Sequence, residues 1–348
     1  MLGRWIERRS FLSGLGVSMA GLIAPVAYAQ AKPEKSKVLI AVGAKASFYH
    51  LPLVVAERLG YFSAEGLEVE IQDVGGGLRA VQLVQDGSGD VVGGAFEQTI
   101  HLQDRNQFFR AFVLMGRAPQ IAIGVSTRTM SSYKSVSDLK GRRIGIPMPG
   151  SPADTVASLV LSRGGVSAQD VNFVEMPTVA MALAAVRAGQ VDAMSHTEPV
   201  MTMLEHKGDI RIISDTRTLK GAQEVFGGAM PSACLYAPGE YVQKNPRTIQ
   251  ALTDAVVHAL KWLQTAGPSD IIKVVPEPNL LGDRGTYLAS FSKVREGIAL
   301  DGLVPEDGVR TALRAVGRTN PSIKVDKIDI ARTFTNEFAR KAKDRFKA

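Results

Sequence analysis

The chain has 348 residues, and its 41 lysines and arginines against 34 aspartates and glutamates give a formal net charge of +7. This mild surplus concentrates only at 340–347, which we expect to be the solvated face of the last helix, so nucleic-acid binding is not expected. Cys234 is the single cysteine, which excludes an internal disulfide, a cysteine-based metal site and an iron–sulfur cluster. Its apolar neighbours predict a buried thiol.

The first 29 residues have the three-part order of an export signal. Arg4, Arg8 and Arg9 are followed by the uncharged apolar run 11–26, and the segment ends on Ala27-Tyr28-Ala29. The run is shorter than the roughly 20 apolar residues of a membrane span, so cleavage after Ala29 is expected. The sequence RRSFL at 8–12 matches the twin-arginine signature. A general secretory signal is the alternative to the twin-arginine route, and an uncleaved N-terminal anchor is the alternative to a soluble, exported periplasmic protein.

Beyond a polar tether at 30–37, short apolar runs alternate with segments of helical period. Such βα order is typical of a mainly parallel sheet flanked by helices. The predicted strands are 38–42, 67–74, 90–95, 121–126, 143–147, 171–175, 191–194, 210–214 and 231–237. The predicted helices are 51–59, 78–85, 151–163 with Ser151 as N-cap, 179–188, 199–206, one after Pro246, 285–300, 306–316 and 328–346.

Two α/β units followed by a helical tail predict an α/β protein of two lobes with a ligand cleft between them. We assign 38–118 and 226–348 to lobe 1 and 119–225 to lobe 2. The two crossings, near 117–121 and 215–230, are the expected hinge for closure over a solute.

Five phrases carry a more specific resemblance. They are GYFSAEGLEVE at 60–70, GGG at 75–77, GDVVGG at 89–94, DLKGRRIG at 138–145, and AGQVDA at 188–193 leading to Glu198-Pro199. In order and spacing the chain resembles the periplasmic solute-binding proteins of ABC importers that bind nitrate, sulfonates, taurine and thiamine precursors. The resemblance implies the type II periplasmic binding fold, a small-molecule solute, an inner-membrane permease as partner, a monomer, and no cofactor or metal.

Ligand contacts are expected from loops at the carboxyl ends of strands, where helix N-termini point amides into the cleft. The resemblance implies the same loops. In that family an acidic or aromatic residue just before the proline faces the cleft, and here that residue is Glu198, before Pro199. The alternative is that Glu198 only complements a helix dipole. The candidate ligand-binding residues are Ser47, Phe48, Tyr49, His50, Gly76, Gly77, Arg79, Phe96, Glu97, Gln98, Ser151, Asp154, Thr155, His196 and Glu198.

The solute class stays open at this point. Arg79 and Arg117 are the candidates to pair with an anion, whereas Glu97, Asp154 and Glu198 suit an ammonium or hydroxyl group. A zwitterion such as taurine fits both sets, and a carboxylated or aromatic compound fits Phe48 and Tyr49 equally well.

Two other functions agree less well with the sequence. Gly75–Ala80 matches the dinucleotide fingerprint G-x-G-x-x-A, but it lies far from the first strand, and an exported protein meets little free NAD. An enzymatic relative makes a thiamine pyrimidine with iron near a cysteine cluster, which a single cysteine does not supply. We therefore predict a binding protein and no enzyme, with an exported enzyme on the same fold or a ligand-sensing partner of a membrane receptor as alternatives.

Overall fold

The computed structural model describes residues 32–280 and 283–348. The predicted export signal and its cleavage point lie outside these residues. Among those described, none of the helices combines the length and apolar character needed to cross a bilayer.

The described strands form two five-stranded sheets with the same arrangement, β2-β1-β3-β10-β4 and β7-β6-β8-β5-β9. The strands are β1 Lys37–Val42, β2 Glu68–Asp73, β3 Val91–Ala95, β4 Phe109–Leu114, β5 Ile121–Ser126, β6 Arg143–Ile146, β7 Asn172–Glu175, β8 Ala193–Thr197, β9 Ile210–Asp215 and β10 Ala233–Pro238. Strands β5 and β10, which directly follow the two crossings, pair antiparallel with their neighbours. The α/β, two-lobed fold class is confirmed. Each sheet is mixed, because the strand that follows a crossing runs antiparallel to the strands beside it.

Helices cover the faces of both sheets. Their bounds are α1 Leu51–Arg58, α2 Tyr61–Ala64, α3 Gly77–Gln85, α4 Glu97–Asp104, α5 Pro152–Arg163, α6 Val179–Ala188, α7 Val200–His206, α8 Leu219–Phe226, α9 Gly239–Lys244, α10 Pro246–Thr265, α11 Pro268–Val274, α12 Arg284–Val294, α13 Glu306–Thr319 and α14 Glu337–Phe346. The predicted cap of α5 is confirmed, since the Ser151 hydroxyl accepts from the amide of Asp154 and Pro152 occupies the first helical position.

Local pattern failed at several elements. The pattern did not predict strand β4 or the helices α2, α4, α8, α9 and α11. The last helix, expected over 328–346, begins only at Glu337, because Phe334 bridges to Ala111 at the end of a stretch of short 3-10 turns. Strand β8 lies later than expected, since the side chain of Asp192 is held by Arg143 just before it.

The basic C-terminal helix is not purely a solvated face, which corrects the expectation from charge alone. Nη1 of Arg345 lies 2.7 Å from Oε2 of Glu65 and 2.6 Å from Oδ2 of Asp254, two carboxylates that are almost fully buried. Lys343 pairs with Asp301 at 2.8 Å. The two Arg345 pairs dock α14 against α10 and the end of α2, and the Lys343 pair ties it to the segment before α13, so part of the cluster has a structural role.

The two lobes contact each other. Ala153, Val156 and Ala157 of α5 are buried in one apolar cluster with residues of the first sheet, and α5 also packs against α13. Cys234, in β10, is a free and fully buried thiol as predicted. The contact through α5 brings the carboxyl ends of β1, β2 and β3 opposite those of β6, β7 and β8.

Candidate functional site

A cavity of about 150 Å³ lies between the facing carboxyl ends of the two sheets. Its lining comes from the loops after β1, β2, β3, β6 and β7 and from β8 and β10. The lining residues are Gly43, Ala44, Ser47, Tyr49, His50, Gly75, Gly76, Gly77, Leu78, Gly93, Gly94, Ala95, Gln98, Pro147, Met148, Gly150, Ser151, Pro152, Ala153, Pro177, His196, Thr197 and Tyr236. A cavity of this size suits a compact small molecule.

The structure brings eight of the predicted site residues to this cavity and places seven elsewhere. Those at the cavity are Ser47, Tyr49, His50, Gly76, Gly77, Gln98, Ser151 and His196. Those absent from its lining are Phe48, Arg79, Phe96, Glu97, Asp154, Thr155 and Glu198.

Glycines let the wall of the first lobe form. A Cβ on Gly43 would lie 2.5 Å from the amide nitrogen of Gly77, so only glycine lets the first turn of α3 pass this close to β1. A Cβ on Gly76 would lie 3.0 Å from Cε and 3.2 Å from Sδ of Met148. Because Met148 belongs to the second lobe, its side chain contacts the first lobe at Gly76.

Three residues of the lining carry buried polar atoms without a hydrogen-bond partner. Within the described chain, the hydroxyls of Tyr49 and Tyr236 and Nε2 of His196 have no hydrogen-bond partner. Tyr236 is fully buried, and the two others are 7% exposed. Leaving a buried polar group unpaired costs about 1–3 kcal/mol. A solute that bonds to these groups would recover that free energy.

Tyr236 was missed by sequence reasoning because it stands in the apolar strand β10. Its hydroxyl approaches the cavity over Gly94, where a Cβ would be only 3.0 Å away. The adjacent Gly93-Gly94 pair in the neighbouring strand was the available signal, since glycine inside a strand often marks close approach of another group.

The cavity is electrically neutral around its polar groups. No aspartate, glutamate, lysine or arginine belongs to the described lining. Burial lowers the pKa of His196 to about 4 and lowers the pKa of His50 below its usual value. Burial also raises the pKa of the Tyr49 and Tyr236 hydroxyls. Near pH 7 the free site therefore presents uncharged donors and acceptors.

Glu198, the favoured cleft residue, lies inside the second lobe instead. Its carboxylate is 2.5 Å from Nη1 of Arg217 and accepts from the amide and hydroxyl of Thr202 at 3.0 and 2.9 Å. Arg217 is 2% exposed and also pairs with Asp215 at 2.6 Å. The residue before Pro199 is thus held by an ion-pair network, for which sequence spacing gave no signal.

The other predicted carboxylates are also engaged away from the cavity. Asp154 accepts from the amide of Gly150 at 2.8 Å and from the Ser158 hydroxyl at 3.2 Å. Glu97 and Thr155 border a separate small void beside α5, and burial raises the pKa of Glu97 to about 7.

The remaining candidates have packing or surface roles. Phe48 packs on Tyr287, with ring centroids 4.5 Å apart, and Phe96 is fully buried. Arg79 lies over Gly75 at the edge of the loop, and Arg117 donates to the carbonyl of Glu296 at 2.8 Å. Neither arginine reaches the cavity lining.

Two mixed sheets joined by two crossings, with a cavity between their facing ends, define the periplasmic binding protein fold. The chain belongs to the NMT1/THI5-like family, whose model matches residues 47–268. A solved structure from Bordetella bronchiseptica RB50 is 50% identical and covers 91% of this chain and 100% of its own, with a TM-score of 0.88.

Two solved binding proteins share the fold at lower identity. The alkanesulfonate-binding protein SsuA from Xanthomonas axonopodis pv. citri, bound to MOPS, is 18% identical over 87% of this chain and 99% of its own, with a TM-score of 0.67. The periplasmic nitrate-binding protein NrtA from Synechocystis PCC 6803 is 15% identical over 90% of each chain, also at 0.67.

A more distant likeness is to the desulfurization enzyme DSZB, 16% identical over 88% of this chain and 99% of its own, with a TM-score of 0.57. The fold alone therefore does not decide between capture and catalysis. Nor do the described residues place three His, Cys, Asp or Glu side chains together as a metal site.

Proposed function

We propose that the protein is the solute-binding component of an ABC importer and captures a small organic solute by closure of its two lobes. The observation that carries the proposal is the inter-lobe cavity, whose lining includes residues with unpartnered polar atoms from both sides, Tyr49 and Tyr236 from the first lobe and His196 from the second. A solute that bridges them stabilises the closed arrangement without any covalent chemistry.

The lining favours a compact solute with an apolar body and one polar or singly anionic head group. Leu78, Pro147, Met148 and Pro177 supply apolar contact. The loop amides at the start of α3 and α5 are suited to hold an oxyanion, since helix N-termini favour negative charge. A sulfonate or a carboxylate has this character.

An ammonium group finds no matching charge in this cavity. Glu198 is paired with Arg217, Asp154 is bonded to Gly150, and Glu97 borders a different void. Burying an unpaired ammonium is costly. Taurine is therefore a weaker candidate than a sulfonate or carboxylate without an amine.

A thermal-shift screen of the purified protein tests the proposal. The panel holds methane- to pentanesulfonate, the matching carboxylates, nitrate, taurine and small aromatic acids. A binder at 100 times its Kd stabilises the fold by about 2.7 kcal/mol, which raises Tm. Tyr236→Phe is expected to reduce the shift. If no compound raises Tm in a concentration-dependent way, the proposed function is wrong.

The proposal also includes where the protein acts and which membrane protein receives the solute. Export with cleavage after Ala29 places the protein in the periplasm, where an inner-membrane permease would receive the solute. Mass spectrometry of the N-terminus of the periplasmic protein tests the cleavage. For the partner, we expect the solute-loaded protein to capture the detergent-solubilised permease and the free protein not to. If neither form captures the permease, the proposed partner is wrong.

A further inference from the structure

His50 has an arrangement that the proposed binding mode does not use. Its Nδ1 lies 2.9 Å from the carbonyl oxygen of Ala44, and its Nε2 lies 3.0 Å from that of Gly93. The ring is 5% exposed and belongs to the cavity lining. Both ring nitrogens thus face hydrogen-bond acceptors inside the protein.

A neutral imidazole cannot satisfy both contacts, because it carries a single N–H. In either tautomer, one bare ring nitrogen faces a carbonyl oxygen at about the distance of a hydrogen bond. Only the doubly protonated ring donates to Ala44 and Gly93 at once. Desolvation opposes that charge and lowers the pKa of the ring in the free protein, so a neighbouring negative charge is needed to favour the doubly protonated form.

We infer that His50 takes up a proton from solution when an anionic solute enters the cavity, and that the resulting imidazolium is the positive charge opposite that anion. The inference rests on the proposed function, since it needs a solute in this cavity. No lysine or arginine belongs to the described lining, so an anion there has no fixed countercharge. The proton on His50 supplies it without breaking a hydrogen bond.

The other ionisable groups around the ring are consistent with this role. Asp73 at the end of β2 is the carboxylate whose field reaches His50 and favours its charged form. Tyr49 lies edge-on to the ring with centroids 5.5 Å apart, and burial raises the pKa of its hydroxyl, as it does for Tyr236. Glu97 lies after β3 beside those hydroxyls, and burial raises its pKa to about 7.

His196 is the alternative proton acceptor in the same cavity. Burial lowers its pKa to about 4. Its Nδ1 has only long contacts, 3.3 Å to the Thr197 carbonyl and 3.4 Å to the Thr197 hydroxyl, and its Nε2 has no partner. Protonation there gains only the nearby backbone of Thr197 and Met176, which does not offset the burial of the ring.

Isothermal titration calorimetry with the best-binding alkanesulfonate of the panel tests the inference. Sulfonates stay ionised throughout the range used, so any proton uptake belongs to the protein. Titrations from about pH 5.5 to about pH 8, each in two amine buffers of different ionisation enthalpy (Bis-Tris and imidazole at the lower pH values, Tris and triethanolamine at the higher), give the protons bound per solute. We expect net uptake, with affinity weakening by up to roughly tenfold per pH unit as pH rises.

Variants assign the proton to one histidine. His50→Gln is expected to abolish both the uptake and the pH dependence, whereas His196→Gln keeps the uptake and weakens binding at every pH. His206→Gln, an exposed histidine outside the cavity, is the matched control. Histidine side-chain NMR of the wild type, free and loaded, gives the same assignment if a variant does not fold.

The outcomes separate the two proposals. Binding without proton uptake at any pH, or uptake that persists in His50→Gln and disappears in His196→Gln, overturns the role of His50 and leaves the proposed function standing. Failure of every compound in the panel to bind overturns the proposed function and this inference with it.

Discussion

Nζ of Lys293 lies 2.5 Å from Oε2 of Glu205, an ion pair that joins α12 of the C-terminal segment to α7 of the second lobe. Both side chains are about one-third exposed. Beside this pair, the Glu296 carboxylate accepts from the amide of Leu219, and Arg117 donates to the Glu296 carbonyl. The C-terminal segment therefore contacts the second lobe as well as the crossing between lobes.

Lys293→Met is expected to weaken the closed arrangement. A partly exposed ion pair contributes about 0.2–1 kcal/mol, so solute affinity should fall by no more than about fivefold. Calorimetric titration measures the affinity, and X-ray scattering of the free protein should show a larger radius of gyration. Lys341→Met removes a pair within one helix and is the control. Equal effects of the two substitutions would contradict a closing role for Lys293.

Gly76→Ala is expected to hinder closure, because its Cβ would lie 3.0 Å from the end of the Met148 side chain. Mild overpacking costs about 1 kcal/mol, equivalent to roughly fivefold in Kd. The double variant Gly76→Ala with Met148→Ala should recover most of the affinity lost through this clash. A double variant that binds more weakly than either single variant would show that the contact does not limit closure.

Tyr236→Phe should weaken solute binding without lowering the stability of the fold. The hydroxyl has no partner in the described protein, so its removal is expected to leave Tm unchanged or slightly higher. Loss of one solute hydrogen bond should weaken Kd by roughly tenfold. Paired thermal melts and titrations measure the two effects. A large drop in Tm with unchanged affinity would assign the hydroxyl a structural role instead.

Arg217→Met should destabilise the second lobe strongly. It leaves the buried carboxylate of Glu198 without its cation, and breaking one side of a buried pair costs about 3–5 kcal/mol. Urea unfolding measures the loss. Adding Glu198→Gln should restore part of it by removing the uncompensated charge. If the single and double variants are equally stable, the pair is not the source of the effect.

Glu97 should make the protein less stable as pH rises. Burial raises its pKa from 4.5 to about 7 in the folded protein, so the folded state binds its proton more tightly than the unfolded state. This contribution is present below about pH 4.5 and is lost as pH rises through about 7, by up to about 3 kcal/mol. Glu97→Gln should flatten that slope in urea unfolding. A wild-type slope unaltered by the substitution would exclude Glu97 as its source.

The sequence by itself determined the local architecture. Period-two and helical patterns located most strands and helices, and Ser151 with Pro152 marked the start of α5, because capping depends on neighbouring residues only. The phrases shared with the solute-binding proteins predicted the fold. The order of strands and helices predicted the cavity loops at Ser47, Gly76, Ser151 and His196, since parallel strands place their following loops at one edge.

Only the tertiary structure decided which side chains reach the cavity. Glu198 and Tyr236 show the difference. Glu198 has the charge and position expected of a ligand contact, but Arg217, 19 residues later, draws it into the lobe interior. Tyr236 has the pattern of a core residue, yet Gly94 on the neighbouring strand leaves room for its hydroxyl at the cavity. Both outcomes depend on contacts between residues distant in the chain, which local periodicity does not encode.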